Sequence, residues 1–121
     1  MKDKRTVRVI LKDQAKIEFE KLNEIVNRQQ IRGETNSEEI QLLKSIKQKI
    51  ELIKIKPEFG EKIARKKIPR NMNVSNLFRI SITKYWRMVY TLNGNQIEVI
   101  AFILYIVDHP TYDKIFGYRK R

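Results

Sequence analysis

Trp86-Arg87-Met88-Val89-Tyr90-Thr91-Leu92 is followed by Asn93-Gly94 and then by a long, mostly apolar stretch from Gln96 to Val107. In the first segment Trp86, Met88, Tyr90 and Leu92 fall on one side and Arg87, Val89 and Thr91 on the other. This is the two-residue period of a strand. Asn-Gly tolerates the positive φ angles of a tight hairpin turn, so the chain is expected to fold back there. The second stretch is apolar at nearly every position, as in a central strand covered on both faces.

The neighbouring segments supply the rest of the layer. Leu77-Phe78-Arg79-Ile80-Ser81-Ile82 alternates apolar and polar residues and adds a third strand. Before it, residues 57–76 hold Pro57, Gly60 and Pro69 and little periodicity, which reads as a loop with at most a short helical turn. Further upstream, Ala15, Phe19, Leu22 and Val26 recur at helical spacing, so residues 14–31 are expected to be a helix with Asp13 as its cap and Arg32-Gly33 as its end. Thr35-Asn36-Ser37-Glu38 has the form of a capping box, a Thr with a Glu three residues on. Ile40, Leu43, Ile46, Ile50 and Ile53 then mark a second helix to about residue 55. Thr6 to Leu11 has strand character, with Val7 and Val9 on one face. Asp108-His109-Pro110 ends the long strand, and Thr111 to Phe116 suits a final helical turn before Gly117 and a basic tail.

The order is strand, helix, helix, three strands. It predicts an α+β domain over residues 1–121: an N-terminal strand and an antiparallel helical hairpin packed on one face of an antiparallel sheet with three C-terminal strands. The opposite face, or the groove where the 57–76 loop meets it, is then expected to be free for function.

Composition narrows the function. The chain has 121 residues, 41% of them hydrophobic, enough for one self-sufficient core. It has no cysteine, so disulfides and thiolate metal sites are ruled out. Met1-Lys2-Asp3-Lys4-Arg5 leads straight into the first strand without the apolar run of a signal peptide. Val99 to Val107, the longest apolar run, is far short of the ~20 residues of a membrane span. A soluble, cytoplasmic protein with no membrane partner is expected. The net charge is +12, unevenly placed: residues 1–60 carry 14 basic and 10 acidic side chains, and residues 61–121 carry 12 and 4. A positive C-terminal half attracts polyanions such as nucleic acid or the ribosome. Solubility or a heat-adapted Lys/Glu/Ile-rich composition would account for the same numbers.

Several chemistries lack their residues. Four scattered glycines make no phosphate-cradling loop, and a single histidine excludes a clustered His metal site. Asp108 is the one carboxylate near the end of the long strand, and one carboxylate holds Mg²⁺ poorly. No cofactor is expected. Arg, Lys, Tyr and one His remain, and these suffice to cleave RNA. The 2′-hydroxyl attacks the adjacent phosphate, a base takes its proton, cations stabilise the phosphorane, and an acid protonates the leaving oxygen.

Arg87 is the first candidate for the cation, with Arg79 on the adjacent strand; both read equally well as solvent-facing sheet residues. His109, at a strand end, suits either proton role, or is simply a surface or capping residue. Tyr85, Tyr112 and Tyr118 interleave with cations and suit stacking on unpaired bases, although Tyr112 equally suits packing of the final turn. Lys62, Arg65, Lys66, Lys67 and Arg70 form the densest basic cluster, and Lys84 and Arg119 add to it as expected RNA contacts.

Tyr85-Trp86-Arg87-Met88-Val89-Tyr90 resembles the Y-R-L-V-Y strand of RelE/ParE superfamily toxins. Asn76-Leu77-Phe78-Arg79, together with Asp108-His109-Pro110-Thr111-Tyr112-Asp113-Lys114-Ile115-Phe116-Gly117-Tyr118, is similar to an archaeal branch of that superfamily. Pro57-Glu58-Phe59-Gly60 and Ile68-Pro69 match its N-P-x-x-G…I-P loop. The resemblance covers about residues 57–118; the N-terminal strand and helices agree in order only. It implies a type II toxin with a cognate antitoxin, acting as a ribosome-dependent mRNA interferase. The family arginine that contacts the scissile phosphate falls on Arg87, and the basic residue one strand earlier falls approximately on Arg79. Other interferase branches place a His and a Tyr after the last strand, where His109 and Tyr112 stand here at a different spacing. Ser81 stands where RelE has a second lysine, which departs from the RelE proton-transfer scheme. ParE-like branches inhibit gyrase without cleaving RNA, so a non-enzymatic gyrase inhibitor, or a degenerate member that only binds RNA or the ribosome, is the alternative.

Overall fold

The computed structural model describes residues 5–117. It is an α+β domain with the order β1 (Thr6–Leu11), α1 (Asp13–Ile31), α2 (Glu38–Ile55), β2 (Glu61–Lys62), β3 (Phe78–Ser81), β4 (Trp86–Gly94), β5 (Glu98–Asp108) and α3 (His109–Phe116). The five strands form one sheet in the order β1-β5-β4-β3-β2. The three C-terminal strands pair antiparallel as expected, and β1 makes the sheet mixed by joining β5 in parallel, Val9 opposite Ala101. The connection through two helices allows this: a parallel neighbour needs a long crossover, and α1 and α2 provide it.

The helical hairpin covers one face. Ala15, Leu22 and Val26 of α1, and Ile40, Ile46 and Ile53 of α2, meet Ile80, Met88, Tyr90 and Ile103 of the sheet. Each fully buried side chain of this size contributes about 1.5–3 kcal/mol of apolar burial. Two polar side chains register the layers. The Gln14 carboxamide donates to the Ile106 carbonyl at 3.0 Å and accepts from its amide at 2.9 Å, continuing the ladder where β1 stops. The Ser45 hydroxyl donates to the Ile82 carbonyl at 2.7 Å, tying α2 to the end of β3.

Helix ends depart from expectation in detail. Gly33, at φ +87°, ends α1 as foreseen, its amide bonding to the Gln30 carbonyl. Asp13 does not cap that helix: Lys12 occupies the cap position without a side-chain bond, and Asp13 enters the first turn at φ +48°. The α2 cap is Ser37 rather than Thr35, its hydroxyl accepting from the Ile40 amide at 3.0 Å. Residues 34–36 are spent bringing the chain back alongside α1, which moves the cap two positions on. The β4–β5 turn likewise lies one step beyond Asn93-Gly94. The Asn95 carboxamide accepts from the amides of Ile97 and Glu98 and builds the turn locally, while Gly94 stays in the ladder opposite Val99.

The second face, expected to be free, is covered. A register shift at Val89/Tyr90 leaves Leu104 as an extra residue in β5, so Ile103 and Ile106 face the helices while Leu104 and Tyr105 join a second core. That core holds Ile63, Leu77, Val89, Val107, Tyr112 and Phe116, with Ile68, Met72 and Val74 packed on it. Segment 57–76, expected as a loop, therefore forms a cover containing β2 and three 3₁₀ turns, Pro57–Phe59, Arg65–Lys67 and Arg70–Met72. Tyr90 anchors its start from within the main core. Its hydroxyl donates to the Pro57 carbonyl at 2.7 Å and accepts from the Gly60 amide at 2.9 Å.

Candidate functional site

Lys84, Tyr85, Arg87 and His109 lie where β4 begins and β5 ends. The Thr83 hydroxyl accepts from the amides of Tyr85 and Trp86, both at 3.2 Å, and shapes the β3–β4 turn. Lys84 and Tyr85 are exposed at its tip. Arg87 lies on the second face, half-buried. Its Nη1 donates to the carbonyls of Trp86, Lys84 and Thr83 at 3.1, 3.3 and 3.4 Å. All three bonds use one nitrogen, so the guanidinium is held over the turn while Nε and Nη2 take no partner among the described residues. An arginine placed in this way keeps donors for an anion such as phosphate.

His109 belongs to the same end. Its amide donates to the Tyr85 carbonyl at 2.7 Å, which fixes the start of α3 against the β3–β4 turn. Its imidazole is exposed and sits with Nδ1 3.3 Å from the Asp113 carboxylate, one helical turn on. In the neutral imidazole, a carboxylate on Nδ1 favours the tautomer that carries the proton there and leaves Nε2 as a hydrogen-bond acceptor. Asp108, immediately before, caps α3 by accepting from the Thr111 amide at 2.9 Å. The hydrogen bonds from Thr111 hold its carboxyl below the usual range. That stabilisation is therefore present above the ordinary aspartate pKa and is lost as pH falls through the depressed one. Asp108→Ala should cost about 1 kcal/mol at neutral pH. Thermal melts at neutral and at acid pH check this, since the deficit should shrink in acid.

Arg79 has side-chain partners where Arg87 has carbonyls. It shares the second face with Arg87, diagonally across the β3–β4 ladder. Its Nε is 3.0 Å from the Glu61 carboxylate and its Nη1 donates to the Tyr112 hydroxyl at 3.1 Å, with the guanidinium carbon 5.8 Å from the Tyr112 ring centre. Glu61 first, and then Tyr112, raise its already high pKa, and the same pairing lowers that of Glu61. Arg79 thus ties the cover and α3 to the sheet. Tyr112 is 2% exposed and stacked on Phe116 at 4.5 Å. Its ring packs the final helix, whereas the Tyr85 ring is 53% exposed.

The five cations of the cover are exposed. Lys62 pairs with Phe78 at the sheet edge and lines a cleft with Pro57, Asn76 and Leu92. Arg65 instead lines a cleft on the second face with Asn73 and Phe102. Lys66, Lys67 and Arg70 sit on the two 3₁₀ turns between. Tyr118 and Arg119 lie outside the described residues. Among the described residues no group of three His, Asp or Glu side chains is arranged to hold a metal ion, and no helix is long and apolar enough to cross a membrane.

Glu61 and Thr83 went unnoticed in the sequence. The one signal for Glu61 was an acidic residue inside a cationic segment, which becomes legible only when β2 pairs it with Arg79. No protein-family model, no curated protein and no solved structure matches this chain.

Proposed function

We propose that this chain is a ribosome-dependent mRNA endonuclease that needs no metal, the cytoplasmic toxin of a type II toxin–antitoxin pair. The observation that carries the reading is the 2.7 Å bond from the His109 amide to the Tyr85 carbonyl. It brings the one histidine of the chain to the sheet end that holds Arg87, Lys84 and an exposed tyrosine. In this reading His109 Nε2 takes the 2′-hydroxyl proton or supplies one to the departing 5′-oxygen. Arg87 faces the phosphorane, and Tyr85 stacks on the neighbouring base. Arg79 is a positioning residue, holding α3 through Tyr112. The resemblance of residues 57–118 to RelE/ParE toxins supports the same assignment, and the positive C-terminal half suits ribosomal RNA.

One observation favours the non-enzymatic alternative. Arg79 is already ion-paired with Glu61, so of the arginines on β3 and β4 Arg87 is the one presented to a phosphate. A ParE-like gyrase inhibitor, or a member that only binds the ribosome, needs no more than that. Expression without a partner separates the readings. The nuclease should arrest growth and leave translated mRNAs cut within codons, whereas arrest with intact transcripts and inhibited gyrase supports the alternative.

A further inference from the structure

A second polar cleft opens on the sheet face that carries Arg87, nearer the other end of β4. It encloses about 520 Å³, within the roughly 300–1,000 Å³ typical of ligand sites. Thr91 pairs with Phe102 in the β4–β5 ladder, so the half-buried Phe102 ring lies on this face and joins the cleft lining. The Lys12 ammonium lies over that ring, 5.3 Å from its centre. Arg65 enters from the cover, and Asn73, Ser75 and Asn93 add short polar side chains to the lining. Asn73 turns the chain out of the last 3₁₀ turn at φ +50°, a left-handed conformation that asparagine tolerates better than most residues.

We infer that this cleft is a subsite for one unpaired nucleotide of a single-stranded RNA, separate from the Arg87 end. The residue types divide the work as such a ligand requires. An aromatic face stacks on any base, two cations flank it for phosphate, and the Asn and Ser side chains offer donors and acceptors to a base edge or a 2′-hydroxyl. Lys12 above Phe102 would move from the ring to the backbone phosphate of the stacked nucleotide. Charge selects this occupant over a protein segment: Lys12 and Arg65 flank the cleft, and among the described residues no acidic one lines it. The position also fits a continuous path. Thr91, opposite Phe102, is four residues from Arg87 along β4, about 13 Å at strand rise. The cover that packs on Val89 between them carries the exposed Lys66, Lys67 and Arg70. The RNA identity of the ligand rests on the nuclease reading above, but the subsite is tested by binding alone.

The probe is a short, fluorescently labelled single-stranded RNA, with its duplex as control, titrated against the full chain. Phe102 belongs to neither hydrophobic core, so its replacement should leave the melt cooperative. Phe102→Ala should weaken single-strand binding about 5- to 150-fold, the effect of losing one base–aromatic stack. Phe102→Tyr should restore it, Phe102→Leu should not, and duplex binding should be unchanged. Arg65→Gln should flatten the salt dependence by about 0.7 in log–log slope. Equal single-strand affinity in wild type and Phe102→Ala overturns the inference, as does loss of a self-association or protein complex instead of RNA affinity. Wild-type protein that binds no single-stranded RNA also overturns it. If Phe102→Ala binds normally while wild type still cleaves mRNA, the subsite fails and the nuclease reading stands. If Phe102 behaves as expected but no cleavage occurs, the reverse holds.

Discussion

Arg87→Ala is expected to lower RNA cleavage about a hundredfold or more, with the fold retained. A preorganised cation facing the charge of a phosphorane is typically worth about 3–4 kcal/mol in the transition state. Arg87 is suited to that role because its guanidinium is held before substrate arrives, by three carbonyls of the β3–β4 turn through a single nitrogen. Little reorganisation is left to do when the phosphate binds. The same geometry says why the variant should fold: the side chain is only half-buried, belongs to neither core, and its carbonyl partners lie in a turn that water reaches. Its melting temperature should stay within about 4 °C of wild type, a difference of roughly 1 kcal/mol for a chain of this size. Arg87→Lys should fall between the two, because it keeps the charge and loses the planar fork. Wild-type cleavage by Arg87→Ala would remove Arg87 from the chemistry. His109→Ala is the companion: if His109 transfers a proton, the pH dependence of cleavage near neutrality should vanish with it.

Tyr90→Ala should be the most damaging single change to stability, about 3–5 kcal/mol, or on the order of 10–20 °C in melting temperature. Tyr90 is fully buried, stacked on Phe78 with ring centres 5.3 Å apart. Burial raises the pKa of its hydroxyl, so the phenol stays protonated and able to donate to the Pro57 carbonyl. Its loss opens a cavity in the main core and also frees the start of the cover. Tyr90→Phe separates the two effects: the ring remains, while the Pro57 carbonyl and Gly60 amide lose their partner, at about 1–3 kcal/mol. Gly60→Ala attacks the same joint from the other side. A methyl there would stand 2.9 Å from the Tyr90 hydroxyl and 3.0 Å from the Arg79 carbonyl. Denaturant melts of the three variants should show Tyr90→Ala well below the others. A loss under about 1 kcal/mol for Tyr90→Ala would mean that the cover is not anchored there.

Much of the frame was legible because it is written in short-range patterns. The period-two alternation in β4, the period of Ile40, Leu43, Ile46 and Ile53, and the glycine after Arg32 all act within one element. What was missed depends on contacts distant in sequence. Ile63, Ile68, Met72 and Val74 have no period, so nothing local marks them as the lining of a second core. They bury only because β2 pairs with β3 and swings the segment across the sheet. The parallel pairing of β1 with β5 is likewise a property of the crossover, not of either strand. At the site, alternation set Arg87 opposite Trp86 and Met88 with Arg79 on the adjacent strand, but could not show that Glu61 holds one and carbonyls at the β3–β4 turn hold the other. Tyr112 was read both as a stacking residue and as packing, and its burial beneath Arg79 gives it the second part.

The proposed nuclease cleaves RNA by attack of the 2′-hydroxyl, with Arg87 at the phosphate. The most direct measurement is the chemistry of the ends produced when purified protein acts on mRNA in programmed ribosomes. In that reaction the 2′-oxygen bonds to phosphorus as the 5′-oxygen leaves. The upstream fragment should therefore end in a 2′,3′-cyclic phosphate and the downstream fragment should begin with a 5′-hydroxyl, and Arg87→Ala should yield neither above background. Intact mRNA, or fragments that begin with a 5′-phosphate, would contradict it.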